Sequence, residues 1–462
     1  MLNSISSPIT SFNSLIRHPI FLIAAAGIAV RFLIIPFMGV GYDSDFWATI
    51  IRNLDSGQGL YGLEGYYYTP VWGYVLSFES AFHELFSHID VMGLRVPEAF
   101  PLESFTDWFF SSTVTSVAFN AWVKVPFVIC DLIVGYLIYW LIKDKTNDMR
   151  KATIGFALWF LCPLVIGVTT ISGMFDTFSV LFILLCIIMI RKDKLFLGGV
   201  LFSFAVLTKF FPFYFVFILI AYILVMHRGD GRALRSVGTA AAGAVIAFVV
   251  LMAPQIAEGQ LAESLLFITA RATAGDGIIG TEFVFNWAVA VYIAAAAVSA
   301  FLAYRLWKKG RDELDDSFFK YALVMTAFLF VYPPAPQYLV LLIPFLAIFI
   351  VTKDHMFKWS WLLVSAGGLC FILAGNYVLL MSLGAFTDLM SLDHIMEMVK
   401  SFQTPALMGF SPMSIMYYVG GAVQYLGILS VFWYFIKSRY IDGPDGLGVR
   451  ISRSFSYKRS KV

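Results

Sequence analysis

The sequence predicts an all-α polytopic membrane protein, and three observations predict it. Of 462 residues, 60% are hydrophobic and only 13% charged, against roughly 45–50% and about 25% in soluble domains. Twelve apolar stretches read as membrane helices. Lys and Arg gather in alternate connections between those stretches. So large an apolar surplus exceeds what one soluble core holds, because cores stop growing at about 250–300 residues. A soluble enzyme, a nucleic-acid binder and a disordered scaffold are all excluded. The net charge of +2 decides nothing, since in a membrane protein the placement of charge matters more than its sum.

In chain order the expected spans lie near 19–40, 117–142, 152–171, 174–190, 195–209, 211–226, 236–254, 283–306, 318–332, 336–352, 359–382 and 413–436. The first, Pro19 to Val40, is too long for a signal h-region and lacks a small-residue cleavage site, so it reads as a retained span. Of 32 Lys and Arg, 25 fall on one side: Arg17, the clusters at 143–151, 191–194, 228–235, 305–320 and 353–358, and the tail from Lys437. The positive-inside rule then makes both termini cytoplasmic, in a multi-pass plasma-membrane protein. The segment Val71 to Phe86 is apolar but holds Glu79, His83 and Glu84. A crossing there would invert either the N-terminus or the later basic clusters, so it reads as a helix at the interface or dipping partway. The long extracytoplasmic loops are 41–116, 255–282 and 383–412; residues 1–440 form one transmembrane domain, and 441–462 a basic cytoplasmic tail. Cys130, Cys162, Cys186 and Cys370 lie in apolar segments without metal-like spacing and read as core packing.

The first long loop carries the densest chemistry. Ser44 or Asp45 is a suitable N-cap, and Phe46, Trp47, Ile50, Ile51 and Leu54 follow on one helical face. This predicts a short amphipathic helix lying on the membrane and ended by Gly57 and Gly59. Asp43 and Asp45 then stand at its N-terminal end. Two carboxylates at a lipid–water boundary can take a proton from a hydroxyl or bind a divalent ion; equally, they can cap a solvated helix. His83 and His88 are five apart, not the four that a zinc-binding helix requires.

Charges inside apolar runs mark further candidates. Asp131 lies in FVICDLIVG, Asp176 starts a span in SGMFDTF, and Lys209 sits in LTKFFPF. About 14 apolar residues precede Lys209, roughly 21 Å of helix, which leaves it somewhat below the outer surface of a ~30 Å core. An ammonium there suits a lipid-linked phosphate, or a structural pair with Asp131 or Asp176. Arg271, on an outside loop, is a second phosphate candidate or a solvated arginine. The short segments 318–332 and 336–352 are joined by YPPAPQY, and such paired, proline-broken segments also occur in secondary transporters.

Six motifs then stand in one order: Asp43-Ser44-Asp45; Gly57-Gln58-Gly59-Leu60-Tyr61 with Tyr66-Tyr67-Tyr68-Thr69-Pro70; Phe127-Val128-Ile129-Cys130-Asp131-Leu132; Gly173-Met174-Phe175-Asp176; Lys209-Phe210-Phe211-Pro212; and Gln337-Tyr338. In this the chain resembles GT-C-fold glycosyltransferases that use polyprenol-phosphate sugars. The nearest types are the archaeal and bacterial polyprenol-phosphate-mannose mannosyltransferases and the enzyme adding the first mannose to glycosylphosphatidylinositol. The resemblance covers residues 40–345; beyond about 360 only hydropathy matches. It implies about 12 transmembrane helices, with interfacial helices on the long first loop. It places catalysis on Asp43 and Asp45 and donor-phosphate contact on Lys209, and brings Tyr68, Asp131, Asp176, Gln337 and Tyr338 forward as substrate-site candidates. The stretch from Glu79 to Phe119 is longer than usual, and the loop around Arg271 lacks clear identity. The implied partners are a polyprenyl-phosphate sugar, a glycan, lipid or protein acceptor, and membrane lipid. No cofactor is required, because the donor carries no nucleotide diphosphate, although a divalent ion is compatible. The alternative is a secondary transporter or a lipid-linked glycan flippase.

Overall fold

The computed structural model describes residues 19–39, 41–61, 66, 68–86, 91–93, 113–265, 281–331, 335–375 and 379–437. These form helices α1 (Pro19–Ile34), α2 (Gly41–Asp55), α3 (Pro70–Phe86), α4 (Val117–Thr146), α5 (Met149–Phe160), α6 (Pro163–Ile166), α7 (Asp176–Arg191), α8 (Leu195–Thr208), α9 (Val216–Met226) and α10 (Ala233–Ala257). They continue with α11 (Leu261–Ser264), α12 (Thr281–Trp307), α13 (Leu314–Leu329), α14 (Ile343–Thr352), α15 (Phe357–Gly375), α16 (Met381–Phe386), α17 (Leu392–Gln403) and α18 (Pro412–Ile436). A two-stranded antiparallel ribbon, β1 (Val91–Gly93) with β2 (Thr113–Thr115), pairs Met92 with Val114. It is a small β addition to the all-α expectation, within the long first loop.

Among the described residues five helices are long and apolar enough to cross a membrane, or six if one bent pair counts as a single span. The bent pair joins Met149–Phe160 to Pro163–Ser172 at 41°, where Pro163 removes a backbone donor and clashes with the preceding turn. Four other apolar helices are shorter: Pro19–Ile34, Leu195–Thr208, Phe211–Met226 and Pro336–Thr352. The last two open as 3-10 turns at Pro212 and Pro336. Polytopic, mostly helical architecture is thus established, and the shortened segments sit where proline breaks the run.

Local rules account for the ends of α4 and α5. The Ser116 side chain accepts from the Phe119 N–H to start α4, and Asn147 ends it in the left-handed region at φ 50°. Asp148 then accepts from the Arg150 and Lys151 N–H groups to start α5. A π-helical segment, Gly167–Ser172, follows α6 and stops at Gly173 with φ +70°.

Two expectations for α2 are corrected. The helix begins at Gly41, so Asp43, Ser44 and Asp45 lie in its first turn and none of them is the cap. Its apolar face meets protein and not lipid: Trp47, Ile50 and Ile51 are buried and Phe46 and Leu54 pack on the same core. Hydropathy does not separate these cases, since an apolar face suits either neighbour. Helix α3 packs against α2, α8 and α10, with Trp72 and Leu76 buried.

The polar residues sort to two ends of the bundle. At one end Arg191 pairs with Asp144 at 3.1 Å and Asp315 at 2.8 Å, and Asp316 binds both Lys145 and Lys353. His227 contacts Asp193 at 3.0 Å, and Arg311 contacts Asp230 at 3.1 Å. Basic connections grouped together by their spacing in the sequence are therefore neighbours in space.

Between the ends, Asp131 and Arg31 are fully buried as a pair. Arg31 donates from Nη2 and Nε to Asp131 Oδ2 at 2.9 and 3.2 Å, and from Nη1 to the Phe160 carbonyl at 2.8 Å. Its guanidinium carbon lies 4.2 Å from the Phe160 ring centre. Thr169 Oγ1 donates to the same carboxylate oxygen at 2.8 Å, which ties the π-helical segment to α4. Cys130, Cys162 and Cys186 are buried in the packed core, Cys370 is half-buried, and all four are free thiols.

Glu79, in α3, lies against protein. It is 2% exposed, and neither carboxylate oxygen has a hydrogen-bond partner among the described residues. Burial pushes its carboxyl well above the usual range. With a raised folded-state pKa, the unfolded chain releases this proton first, so stability falls as pH rises from the ordinary glutamate range toward the folded value. Glu79→Gln therefore raises the thermal unfolding midpoint at pH 8 and leaves it unchanged at pH 4. Equal shifts at both pH values would show that ionisation is not the cause.

Candidate active site

The end opposite the basic loops is built from four separated pieces of sequence. Helix α8 stops at Lys209, whose backbone turns extended (φ −145°, ψ 139°), and Pro212 opens the following 3-10 turn. The Lys209 ammonium is buried at 3% exposure. Asp176, the first residue of α7 and equally buried, approaches it at 3.6 Å between Nζ and Oδ2. Among the described residues, three rings surround the same nitrogen, with centres at 4.2 Å for Phe175, 4.7 Å for Tyr68 and 5.3 Å for Tyr338.

An ammonium enclosed by π faces is held where water is scarce, and a desolvated cation–π contact contributes up to about 2 kcal/mol. The carboxylate stands farther off than the 2.7–2.9 Å of a short charge-assisted hydrogen bond. The carboxylate nevertheless gives the cation a buried counter-charge. Such a group can meet an incoming phosphate oxygen.

The tyrosine-rich run is fixed by its own hydroxyls. Tyr61 donates to the Tyr68 carbonyl at 2.7 Å and Tyr66 to the Thr69 carbonyl at 2.9 Å. Thr69 Oγ1 donates to the Leu207 carbonyl, two residues before Lys209. These bonds hold Tyr68 against the end of α8.

Helix α2 is joined to this cage through one layer of rings. Trp47 lies 6.0 Å from Tyr68 and 5.8 Å from Phe175, and Phe46 lies 6.3 Å from Tyr68, centre to centre. Trp47 Nε1 donates to the Gly173 carbonyl at 3.0 Å. Trp72 stacks on Phe175 from α3, with centres 5.4 Å apart and planes 6° from parallel. The first turn of α2, where Asp43 and Asp45 stand, is thus anchored to the segment that presents Phe175 and Asp176. The side chains of Asp43 and Asp45 lie outside the described part of the structure, and so does Arg271.

Of the sequence candidates, Tyr68, Asp176, Lys209 and Tyr338 meet at one point. Gln337 precedes Tyr338 in the same 3-10 turn and is half-buried. Asp131 is engaged instead by Arg31 and Thr169.

Lys124 was not among the candidates. It is fully buried in α4 and donates from Nζ to the carbonyls of Met38 at 2.5 Å, Thr170 at 3.0 Å and Ile171 at 3.2 Å. It ties the approach to α2 to the π-helical segment before Asp176. A Cβ on Gly173 would come within 3.0 Å of Lys124 Cε, and its φ of +70° is one that side chains resist. The available signal was a lysine early in a long apolar span, where charge is expensive and usually has a function or a partner.

Fold and site together define a polytopic, mostly helical membrane protein with a buried cation–aromatic centre at one end of its bundle. Within it, residues 104–256 match the family model described as dolichyl-phosphate-mannose-protein mannosyltransferase. That match spans about a third of the chain, includes Asp131, Asp176 and Lys209, and supports a membrane-bound glycosyltransferase. No curated protein matches the chain.

Proposed function

We propose that the protein moves a hexose, with mannose as the first candidate, from a polyprenyl phosphate to an acceptor hydroxyl on the extracytoplasmic face. The observation that carries this reading is the buried Lys209 ammonium, set among Asp176, Tyr68, Phe175 and Tyr338 and one ring layer from the first turn of α2. In the reaction the acceptor oxygen forms a bond to C1 of the sugar while the C1–phosphate oxygen bond breaks. Asp43 or Asp45 takes the acceptor proton. Lys209, with Arg271 as a second cation, offsets charge on the departing polyprenyl phosphate. The family resemblance implies inversion at C1. On the reading of twelve crossings with both termini cytoplasmic, this end of the bundle faces outward and the lipid tail enters between helices.

The test is transfer by purified protein given polyprenyl-phosphate mannose. Asp43→Asn and Asp45→Asn are made singly, and the variant that removes the base loses about 100- to 10,000-fold in rate. Full activity in both would remove this assignment.

One observation favours the transporter reading. The proline-broken segments Phe211–Met226 and Pro336–Thr352 meet at the cage, with Phe211 and Tyr338 rings 4.7 Å apart, as half-helices do at transporter binding sites. Ion-coupled uptake into proteoliposomes that survives both aspartate substitutions would establish it.

A further inference from the structure

Helix α8 ends at Lys209, and a different site lies at its other end. A cavity of about 590 Å³ opens there between the starts of α8 and α10, lined by Lys194, Arg232, Arg235 and Ser236 over an apolar floor of Leu195 and Phe196. Lys194 and Arg232 occupy the N-cap positions of α8 and α10, and neither helix start has a side-chain cap. Cap positions ordinarily hold Ser, Thr, Asp or Asn, which accept from the first free N–H groups. Here two helix dipoles present their positive ends beside cations, an unfavourable arrangement that an anion seated between them reverses.

The side chains agree with an anionic occupant. Ser236 is 7% exposed, lines the cavity, and its hydroxyl has no hydrogen-bond partner among the described residues. The one carboxylate in the lining, Asp193, contacts His227 Nε2 at 3.0 Å and is outnumbered by three cations, Lys194, Arg232 and Arg235. Along the next turns of the same two helices, a second cavity of about 210 Å³ is apolar throughout, with Gly198, Phe202, Val237, Ala240 and Ala241 in its wall. A soluble phosphate compound has no use for that second space; an acyl chain does.

We propose that the two cavities together bind one anionic phospholipid. Its phosphate sits among Lys194, Arg232, Arg235 and the Ser236 hydroxyl, and an acyl chain lies in the apolar cavity between α8, α9 and α10. This does not depend on the transferase reading.

The experiment measures binding of fluorescent-tailed phosphatidylglycerol to the full chain in neutral detergent. Arg232→Gln with Arg235→Gln weakens binding about 30-fold, taking each arginine at its usual worth near an anionic headgroup. Lys308→Gln with Lys309→Gln, at the same end of the bundle beside Arg228, removes equal charge and leaves binding unchanged. Ala241→Phe fills the apolar cavity, and weakens long-chain but not dihexanoyl phosphatidylglycerol. Wild-type affinity in the arginine double variant overturns the proposal. So does displacement of the lipid by inorganic phosphate as effectively as by unlabelled phosphatidylglycerol, which would make this a soluble-phosphate site. Equal loss in the two double variants also overturns it, because the attraction would then be diffuse.

Discussion

Lys209→Met with Asp176→Asn retains the wild-type unfolding midpoint but transfers sugar about 100- to 1000-fold more slowly, the usual cost of removing one donor to a charge that develops in the transition state. The double variant is the informative one. Removing Lys209 alone leaves Asp176 as a buried carboxylate 3% exposed without its cation, and breaking a buried pair costs about 3–5 kcal/mol. A slow single variant would then report damage as readily as lost chemistry. Neutralising both partners removes that penalty and keeps volumes close to native, so stability and rate separate. If Lys209 only holds the fold together, stability and transfer return together in the double variant. If it faces the leaving phosphate, stability returns and transfer does not, with the loss in kcat more than in KM. Lys209→Arg keeps a charge in the cage and recovers part of the rate. Wild-type turnover in the double variant would remove Lys209 from the mechanism.

Of the residues that meet around Lys209, two carried a local mark, whereas Tyr68 and Tyr338 came forward only through the family resemblance. Lys209 and Asp176 are charges within apolar runs, and prolines break the segments that begin at Pro212 and Pro336. A hydropathy reading finds such marks without knowing the fold. Pairing between distant segments is another matter. Asp131 was open to pairing with Lys209, but its partner is Arg31, 100 residues away, and nothing local distinguishes Arg31 from a charge at a helix end. The environment of α2 and Glu79 was hidden for a related reason. Lipid and protein interior are both apolar, so a periodic face predicts burial without saying against what. Lys124 could be noticed as a buried cation, but its three carbonyl partners come from two separate segments. The π-helical segment that supplies two of them carries no sequence pattern that distinguishes it from an ordinary helix.

Asp131→Ala destabilises the protein by about 3–5 kcal/mol, because it strands a guanidinium that is fully buried. Arg31 would keep its bond to the Phe160 carbonyl and its place over the Phe160 ring, neither of which neutralises it. Arg31→Met with Asp131→Leu removes both charges at similar volume, and such replacements are often neutral or stabilising by about 1–4 kcal/mol. The double variant therefore unfolds at or above the wild-type temperature, and the two single variants well below it. Strictly additive losses in a double-mutant cycle would mean the two residues are not coupled. The same protein also tests the place of Asp131 among the substrate-site candidates. Its Oδ2 already accepts from Arg31 and Thr169, and its carbonyl from Trp159 Nε1 at 2.9 Å. Those contacts secure α1, α5 and the π-helical segment to α4, and the chain runs from that segment directly to Phe175 and Asp176. A positioning residue of this kind affects turnover only through the fold, so transfer in the stabilised double variant stays at the wild-type level. A fully folded double variant that no longer transfers sugar would return Asp131 to the substrate site.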